Sequence, residues 1–189
     1  MINKNRTKSI VTNTFLIMNI LVFLVMTLAG GTTNQVVLVI FGAKVNQLID
    51  LGQYWRLLTS IFIHIGIVHL LLNSYALIAV GQISEAVFGH LKFALLYLLS
   101  GIGGATASYL FSEAISAGAS GAIFGLLGAL VSYGWKNAGM WRSGLIANLL
   151  FVIGFNILFG LITTGIDNYA HIGGMLTGLI IGIIYRQQR

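Results

Sequence analysis

The sequence predicts an all-α, polytopic membrane protein with six transmembrane helices in one bundle. The 189 residues are 57% hydrophobic and only 7% charged, whereas charged residues make up about 25% of an ordinary soluble domain. Several apolar segments have the length of roughly 17–25 residues that a helix needs to cross a bilayer. Cysteine and proline are absent. Disulfides and cysteine–metal sites are therefore excluded, and any break in a helix must use glycine.

The six predicted spans cover approximately residues 12–30, 66–86, 92–111, 118–135, 144–163 and 169–185. The first follows Lys4, Arg6 and Lys8 and resembles a signal peptide, with Thr27-Leu28-Ala29 as a poor cleavage site. Because further apolar spans follow it, we expect an uncleaved first span. The sequence thus predicts a single transmembrane domain over residues 1–189.

Residues 31–65 contain short apolar stretches that polar residues interrupt, so this segment is too broken to span a bilayer. It is expected to form an external loop with interfacial pieces, anchored by Tyr54 and Trp55, since aromatic side chains favour the membrane–water boundary.

The distribution of basic residues predicts the orientation. Only Lys44 and Arg56 fall on one side of the predicted spans, and the positive-inside rule makes that side external, with both termini in the cytoplasm of a cell membrane. Because the charges are scattered among short loops, nucleic acid is not an expected partner. The opposite side holds eight basic residues: Lys4, Arg6, Lys8, Lys92, Lys136, Arg142, Arg186 and Arg189.

Two reactive side chains are predicted at matching depths in the bilayer. Ser120 precedes Lys136 by 16 residues, and His171 precedes Arg186 by 15. At about 1.5 Å per helical residue, both lie roughly 23–24 Å above the cytoplasmic boundary of a core about 30 Å thick. His69 and Asn73 share a helix face at similar height, because they are four residues apart. His64 belongs to another face or to the preceding turn.

Small residues recur at helical spacing beside both reactive groups. The fourth span has Gly121, Gly125, Gly128 and Ser132, and the sixth has Gly174, Gly178 and Gly182. Such stripes allow close packing of helices in lipid. Most of them do nothing more, but if these two face each other, Ser120 and His171 meet at the end of the contact.

This constellation favours acyl-transfer chemistry without a cofactor. A neutral imidazole at His171 could take the proton of Ser120, and donors from His69, Asn73 and the backbone around Gly118 and Ser120 could stabilise an oxyanion. Asp167 is expected to be an ordinary loop residue, which leaves a dyad. A metal site is not expected, because no His-Glu-x-x-His helix is present. An aspartyl dyad is not expected either, since both Asp residues are predicted in loops.

The motifs resemble those of the rhomboid family of intramembrane serine proteases. Gly118-Ala119-Ser120-Gly121 is similar to its G-x-S-G motif, and Ala170-His171 with Gly174 and Gly178 to its A-H-x-x-G-x-x-x-G motif. His64, His69 and Asn73 resemble its H-x₄-H-x₃-N pattern. Tyr54-Trp55-Arg56 and Glu85 also have counterparts.

The resemblance implies a six-helix core without an added helix or soluble domain. Ser120 would be the nucleophile, His171 the general base, and His69 and Asn73 part of the oxyanion hole. Trp55, Arg56, Glu85 and His64 would be structural. Many relatives have Tyr four residues after the nucleophile, where this chain has Phe124. The stacking of that ring on the base should survive the change.

The expected function is therefore a serine endopeptidase that cleaves single-span or other transmembrane proteins near the extracellular face of the lipid bilayer. The fifth span is rich in large apolar residues, so it should pack loosely and could act as a lateral gate. One alternative is an inactive relative that binds membrane clients. A small-solute transporter is disfavoured, since the two halves show no convincing inverted repeat.

Overall fold

The computed structural model describes residues 9–187, which form helices joined by short connections. Within that range the only extended pairing is an isolated antiparallel bridge between Lys44 and Ser116. A 3₁₀ turn covers Ser60–Phe62. The helices are α1 (Ile10–Leu28), α2 (Gln35–Phe41), α3 (Asn46–Asp50), α4 (Arg56–Thr59), α5 (Ile67–Phe88), α6 (His90–Phe111), α7 (Ser120–Gly134), α8 (Ala138–Arg142), α9 (Leu145–Ile162) and α10 (Asn168–Gln187).

Among the described residues, five helices (α1, α5, α6, α9 and α10) are long and apolar enough to cross a membrane. The predicted fourth span corresponds to α7, which has 15 residues and so is only about 22 Å long. Six full-length spans are therefore not confirmed. Residues 121–132 are all buried, and α7 contacts α5, α6, α9 and α10. A helix enclosed by protein in this way is not required to match the thickness of the lipid.

The two small-residue stripes face each other, which is the condition under which the sequence would bring Ser120 and His171 together. A Cβ added at Gly174 would collide with the backbone of Gly121, and one added at Gly178 would collide with the backbone of Gly125. Close approach of the two backbones is possible only because neither helix has side chains at these positions. The seam between α7 and α10 therefore fixes the register of the two helices.

The first loop is built around a buried guanidinium. Arg56 donates from Nη1 to the carbonyl oxygens of Val39 (2.8 Å) and Ala43 (3.1 Å), and from Nε to Gln53 (2.8 Å). Its guanidinium also lies 4.6 Å from the centroid of the Trp55 ring. The predicted structural role of Arg56 in this loop is confirmed.

Glu85, near the end of α5, accepts three hydrogen bonds from the first turn of α1. The donors are the backbone N–H groups of Val11 and Thr12 (both 2.9 Å) and the Thr12 hydroxyl (2.6 Å). The first N–H groups of a helix have no partner within it, so this carboxylate caps α1 from a different helix. The predicted role of Glu85 as a buried structural acceptor is confirmed.

Helix α9 lies at the periphery. Only Ile146, Leu149 and Ile153 are buried, while Phe151 and Leu158 are 70% and 65% exposed. The predicted loose packing of this helix is confirmed.

Candidate active site

A cavity of about 610 Å³ brings together every residue that the sequence predicted for the site. Ser120 and Gly118 line it from the start of α7, His171 from the first turn of α10, and His69 and Asn73 from α5. Its walls also include parts of α6 and of α9. The cavity thus lies where the ends of several helices converge on one small volume.

Gly118 determines how the chain enters α7. Its φ of +134° is rarely adopted by residues with a side chain, and its N–H donates to the carbonyl oxygen of Ser60 (2.9 Å). A Cβ at this position would lie 2.7 Å from both Cε1 and Nε2 of His69. Glycine here lets the backbone before Ser120 lie directly against the His69 ring.

A hydrogen bond to Nδ1 fixes the orientation of the His69 ring. Its Nδ1 accepts a hydrogen bond from the backbone N–H of Ile65 (3.3 Å). A neutral imidazole with an accepting Nδ1 has its proton on Nε2, and Nε2 is one of the atoms next to Gly118. Asn73 lies one turn further along α5 and donates from Nδ2 to the His69 carbonyl oxygen (3.0 Å). The α5 wall therefore offers N–H groups beside the backbone that precedes Ser120.

His171 is held by ring stacking and by the start of its helix. The Phe124 ring stacks on its imidazole at 4.2 Å between centroids and 7° between planes, which confirms the expected stacking. Asp167 begins the helix by accepting a hydrogen bond from the backbone N–H of Ala170 (3.0 Å). The hydroxyl of Ser108 also donates to Asp167.

The Asp167 carboxylate is thus engaged away from the His171 ring. Among the described residues, the buried Nδ1 of His171 has no hydrogen-bond partner. No hydrogen bond joins the Ser120 hydroxyl to the imidazole in the described part of the chain either, although both groups line the same cavity. Catalytic hydrogen bonds commonly become short only when substrate is bound.

His64 lies in the turn before α5, which is one of the two places that the sequence left open for it. It is fully buried, and its Nε2 accepts a long hydrogen bond from the backbone N–H of Ala119 (3.5 Å). Its ring meets that of His69 edge-on at 5.2 Å. Burial, followed by the proximity of His69, lowers the pKa of His64 to about 3, so this imidazole is neutral at ordinary pH.

Lys44 is the supporting residue that the sequence did not reveal. It is fully buried, and its ammonium donates to the carbonyl oxygens of Ser112 (2.7 Å) and Ala114 (2.8 Å) and to Asn46 Oδ1 (2.9 Å). Its backbone pairs with Ser116 in both directions. Burial lowers the pKa of Lys44, while Asp167 and Glu113 act to raise it.

Lys44 therefore fastens the first loop to the segment that leads into Ser120. Its ammonium also lies at the C-terminal end of α6, where the unpaired carbonyl oxygens make a positive charge favourable. In the sequence this residue differs in no way from a solvated loop lysine, because its burial depends on long-range packing.

Comparison with known proteins matches residues 51–188 to the Rhomboid domain. The chain is 47% identical over 164 residues to the Rhomboid protease GluP of Bacillus subtilis, a match that covers 87% of this chain and 32% of that protein. It is also 44% identical over 140 residues to the mitochondrial RHOMBOID-like protein 6 of Arabidopsis thaliana, covering 72% of this chain and 45% of the relative. The chain thus spans about a third to a half of the length of these relatives.

Proposed function

The chain belongs to the rhomboid family, and on this premise we propose that it is an intramembrane serine endopeptidase. It is a multi-pass membrane protein, since its apolar helices agree with that family. In the proposed topology α7 completes six spans in a single domain. Both termini lie in the cytoplasm, and the cavity lies below the extracellular face of the cell membrane.

The observation that supports this function most strongly is the placement of Ser120 and His171 in one cavity at the start of two helices whose glycine faces lock together. A serine is common at helix contacts in membranes, whereas a histidine is costly to place inside a membrane bundle. The convergence of His171 with Ser120 on one cavity is therefore better explained by chemistry than by packing alone.

In the proposed mechanism, Nε2 of His171 removes the proton of Ser120 as the hydroxyl oxygen attacks a peptide carbonyl carbon. The developing oxyanion accepts hydrogen bonds from the backbone N–H of Ser120, from His69 Nε2 and from the Asn73 side chain, while Gly118 allows the close approach of His69 to this backbone. The protonated His171 then gives its proton to the leaving amine, and water hydrolyses the acyl-enzyme by the same steps in turn. The proposed mechanism uses a dyad, because among the described residues no carboxylate accepts a hydrogen bond from Nδ1 of His171.

The proposed substrates are single-span or other transmembrane proteins. A helical segment hides its scissile carbonyl in its own hydrogen bonds, so it must unwind locally to be cut. Segments with Gly or Ala at the cleavage site should be favoured, because these small residues fit a narrow cavity and Gly weakens the helix.

A rival proposal is an inactive relative that binds membrane clients, and the missing hydrogen bond between Ser120 and His171 is the observation in its favour. A fluorophosphonate probe separates the two proposals. We expect covalent labelling of Ser120 in the wild-type protein and none in His171→Ala. Ser120→Ala should insert normally yet cleave a reconstituted single-span substrate at least a thousandfold more slowly. Normal cleavage by Ser120→Ala would refute the assignment.

A further inference from the structure

The wall of the cavity that α9 contributes contains one polar side chain. Val152 and Asn156, one turn apart, are the residues by which α9 lines the cavity. Helix α5 lines the same cavity with an apolar row at helical spacing, Val68, Leu72, Ala76 and Val80, together with His69 and Asn73. Asn156 is therefore the one polar side chain that α9 adds to this cavity.

Asn156 has an amide oxygen that the protein itself does not use. Helix α9 has only two polar side chains, Asn148 and Asn156, among large apolar residues. One N–H of Asn156 is satisfied inside the helix, since Nδ2 donates to the Val152 carbonyl oxygen (2.8 Å). No residue of the described chain donates to its Oδ1. Because Asn156 is exposed and lines the cavity, this oxygen is open to a donor on a molecule that enters the cavity.

A locally unwound peptide would supply such a donor. When a transmembrane segment leaves its helical form, its backbone N–H groups lose their internal acceptors, and lipid offers no replacement. The backbone N–H of Ser120 and the side chains of His69 and Asn73 can donate to the carbonyl oxygens of the peptide. An acceptor is needed for its N–H groups, and the amide oxygen of Asn156 is an acceptor on another wall of the same cavity.

We propose that Asn156 is a substrate-binding residue whose side-chain oxygen accepts a hydrogen bond from a backbone N–H of the unwound substrate segment. This inference rests on the proposed endopeptidase function and adds to it a specific contact on α9. Because the contact is to the main chain, it favours any segment that unwinds easily rather than one particular side chain.

The test compares Asn156→Leu with Asn148→Leu in vesicles that contain a synthetic single-span peptide. Leucine matches asparagine closely in size, and Asn148 lies on the same helix but does not line the cavity. For Asn156→Leu we expect kcat/KM to fall about three- to tenfold, the size expected for one shielded hydrogen bond. The rate of fluorophosphonate labelling of Ser120 should stay unchanged, since the probe lacks an extended backbone. Asn148→Leu should match the wild type in both measurements, and Asn156→Gln should restore part of the cleavage.

Three results would overturn the inference. Cleavage equal to wild type would mean that Asn156 makes no productive contact. Faster cleavage would mean that it restrains α9. An equal loss of labelling and cleavage would mean that it shapes the catalytic groups. Failure of the endopeptidase function itself would be distinguished by a wild-type protein that neither takes the label nor cleaves the peptide.

A second measurement identifies the bond directly. Replacing single backbone amides of the synthetic peptide by esters removes one N–H at a time. At one position near the cleavage site, the ester should slow the wild-type enzyme about three- to tenfold and leave Asn156→Leu unaffected. Independent effects of the ester and the substitution at every position would contradict the proposed contact.

Discussion

Two apolar regions of the bundle pack in opposite ways. One is the seam between α7 and α10, and the other is the outer helix α9. At the seam, Gly125 and Gly178 bring two backbones into direct contact, and nearly every residue of α7 is buried. Helix α9 has large side chains that mostly face outward, and Gly154 has nothing within 4 Å of where a Cβ would lie. The catalytic candidates lie on the tight pair, while the loose helix forms one wall of the passage to them.

This contrast shows how one helix bundle can hold two side chains in a fixed arrangement and still leave their cavity accessible. In the proposed protease, a misplacement of about 1 Å between Ser120 and His171 would cost about a hundredfold in rate, so their helices need a contact that permits one register. The proposed entry of a substrate helix requires a wall that can yield at small cost. The two regions differ in glycine, which forms the contact at the seam, and in hydropathy, since α9 is more hydrophobic than α10.

The largest expected effect comes from placing a side chain in the seam. Gly178→Leu forces α10 away from the backbone of Gly125, which has no flexible atoms to move aside. Overpacking in ordinary cores costs about 1–3 kcal/mol, and a collision with backbone should exceed this. We expect cleavage to fall more than a hundredfold and the thermal unfolding temperature in detergent to drop sharply.

Gly154→Leu on α9 is the matched control, because it adds the same atoms where space is open. Its unfolding temperature should stay within a few degrees of wild type or rise slightly, since a glycine inside a helix costs about 0.5–1 kcal/mol relative to alanine. If both leucine variants behave alike, the contrast between the two regions is wrong.

A smaller loss is expected from Lys44→Met, which removes the ammonium but keeps most of the side-chain volume. The buried Asn46 Oδ1 and the partly buried carbonyl oxygens of Ser112 and Ala114 then lose the ammonium as donor. A buried acceptor without a donor costs about 1–3 kcal/mol. Both the free energy of unfolding and the rate of fluorophosphonate labelling should decrease, because the released segment leads to Ser120. The exposed Lys136→Met should change neither quantity, and a Lys44→Met protein as stable and reactive as wild type would show that the fastening is dispensable.

The smallest expected effect is a pH dependence from His64. Its pKa is about 3 in the folded protein and about 6.5 when exposed, so the unfolded chain binds the extra proton first. The stabilising contribution of His64 is therefore complete above about pH 6.5 and is lost as the pH falls toward 3. Between pH 7 and pH 5 this contribution amounts to about 2 kcal/mol.

The matching measurement is the free energy of unfolding of wild type and His64→Gln at both pH values. The wild type should lose more stability on acidification than the variant, by about that amount. Equal losses would mean that His64 accepts a proton as easily in the folded protein as in the unfolded chain.

Much of the site was accessible from sequence because its residues occur in fixed local spacings. His69 and Asn73 had to share a face, and counting residues placed Ser120 and His171 at one height. The glycine stripes indicated which helices should meet. The register of the stripes, with Gly174 opposite Gly121, could not be predicted, because it depends on how two helices fit.

Two other features could not be predicted from the sequence, because they also depend on how distant segments pack. Lys44 was counted only as a loop charge. Its sequence neighbours give no sign that the carbonyl groups of Ser112 and Ala114 accept hydrogen bonds from its ammonium. The length of α7 was overestimated, because hydropathy cannot distinguish an apolar helix facing lipid from one enclosed by protein.

The cap that Glu85 provides for α1 has a consequence for biogenesis. The N–H groups of Val11 and Thr12 are synthesised 74 and 73 residues before their acceptor. Until Glu85 has been made, these groups must use other acceptors, such as water or lipid headgroups. The cap that joins α1 to α5 therefore forms only after α5 has been synthesised.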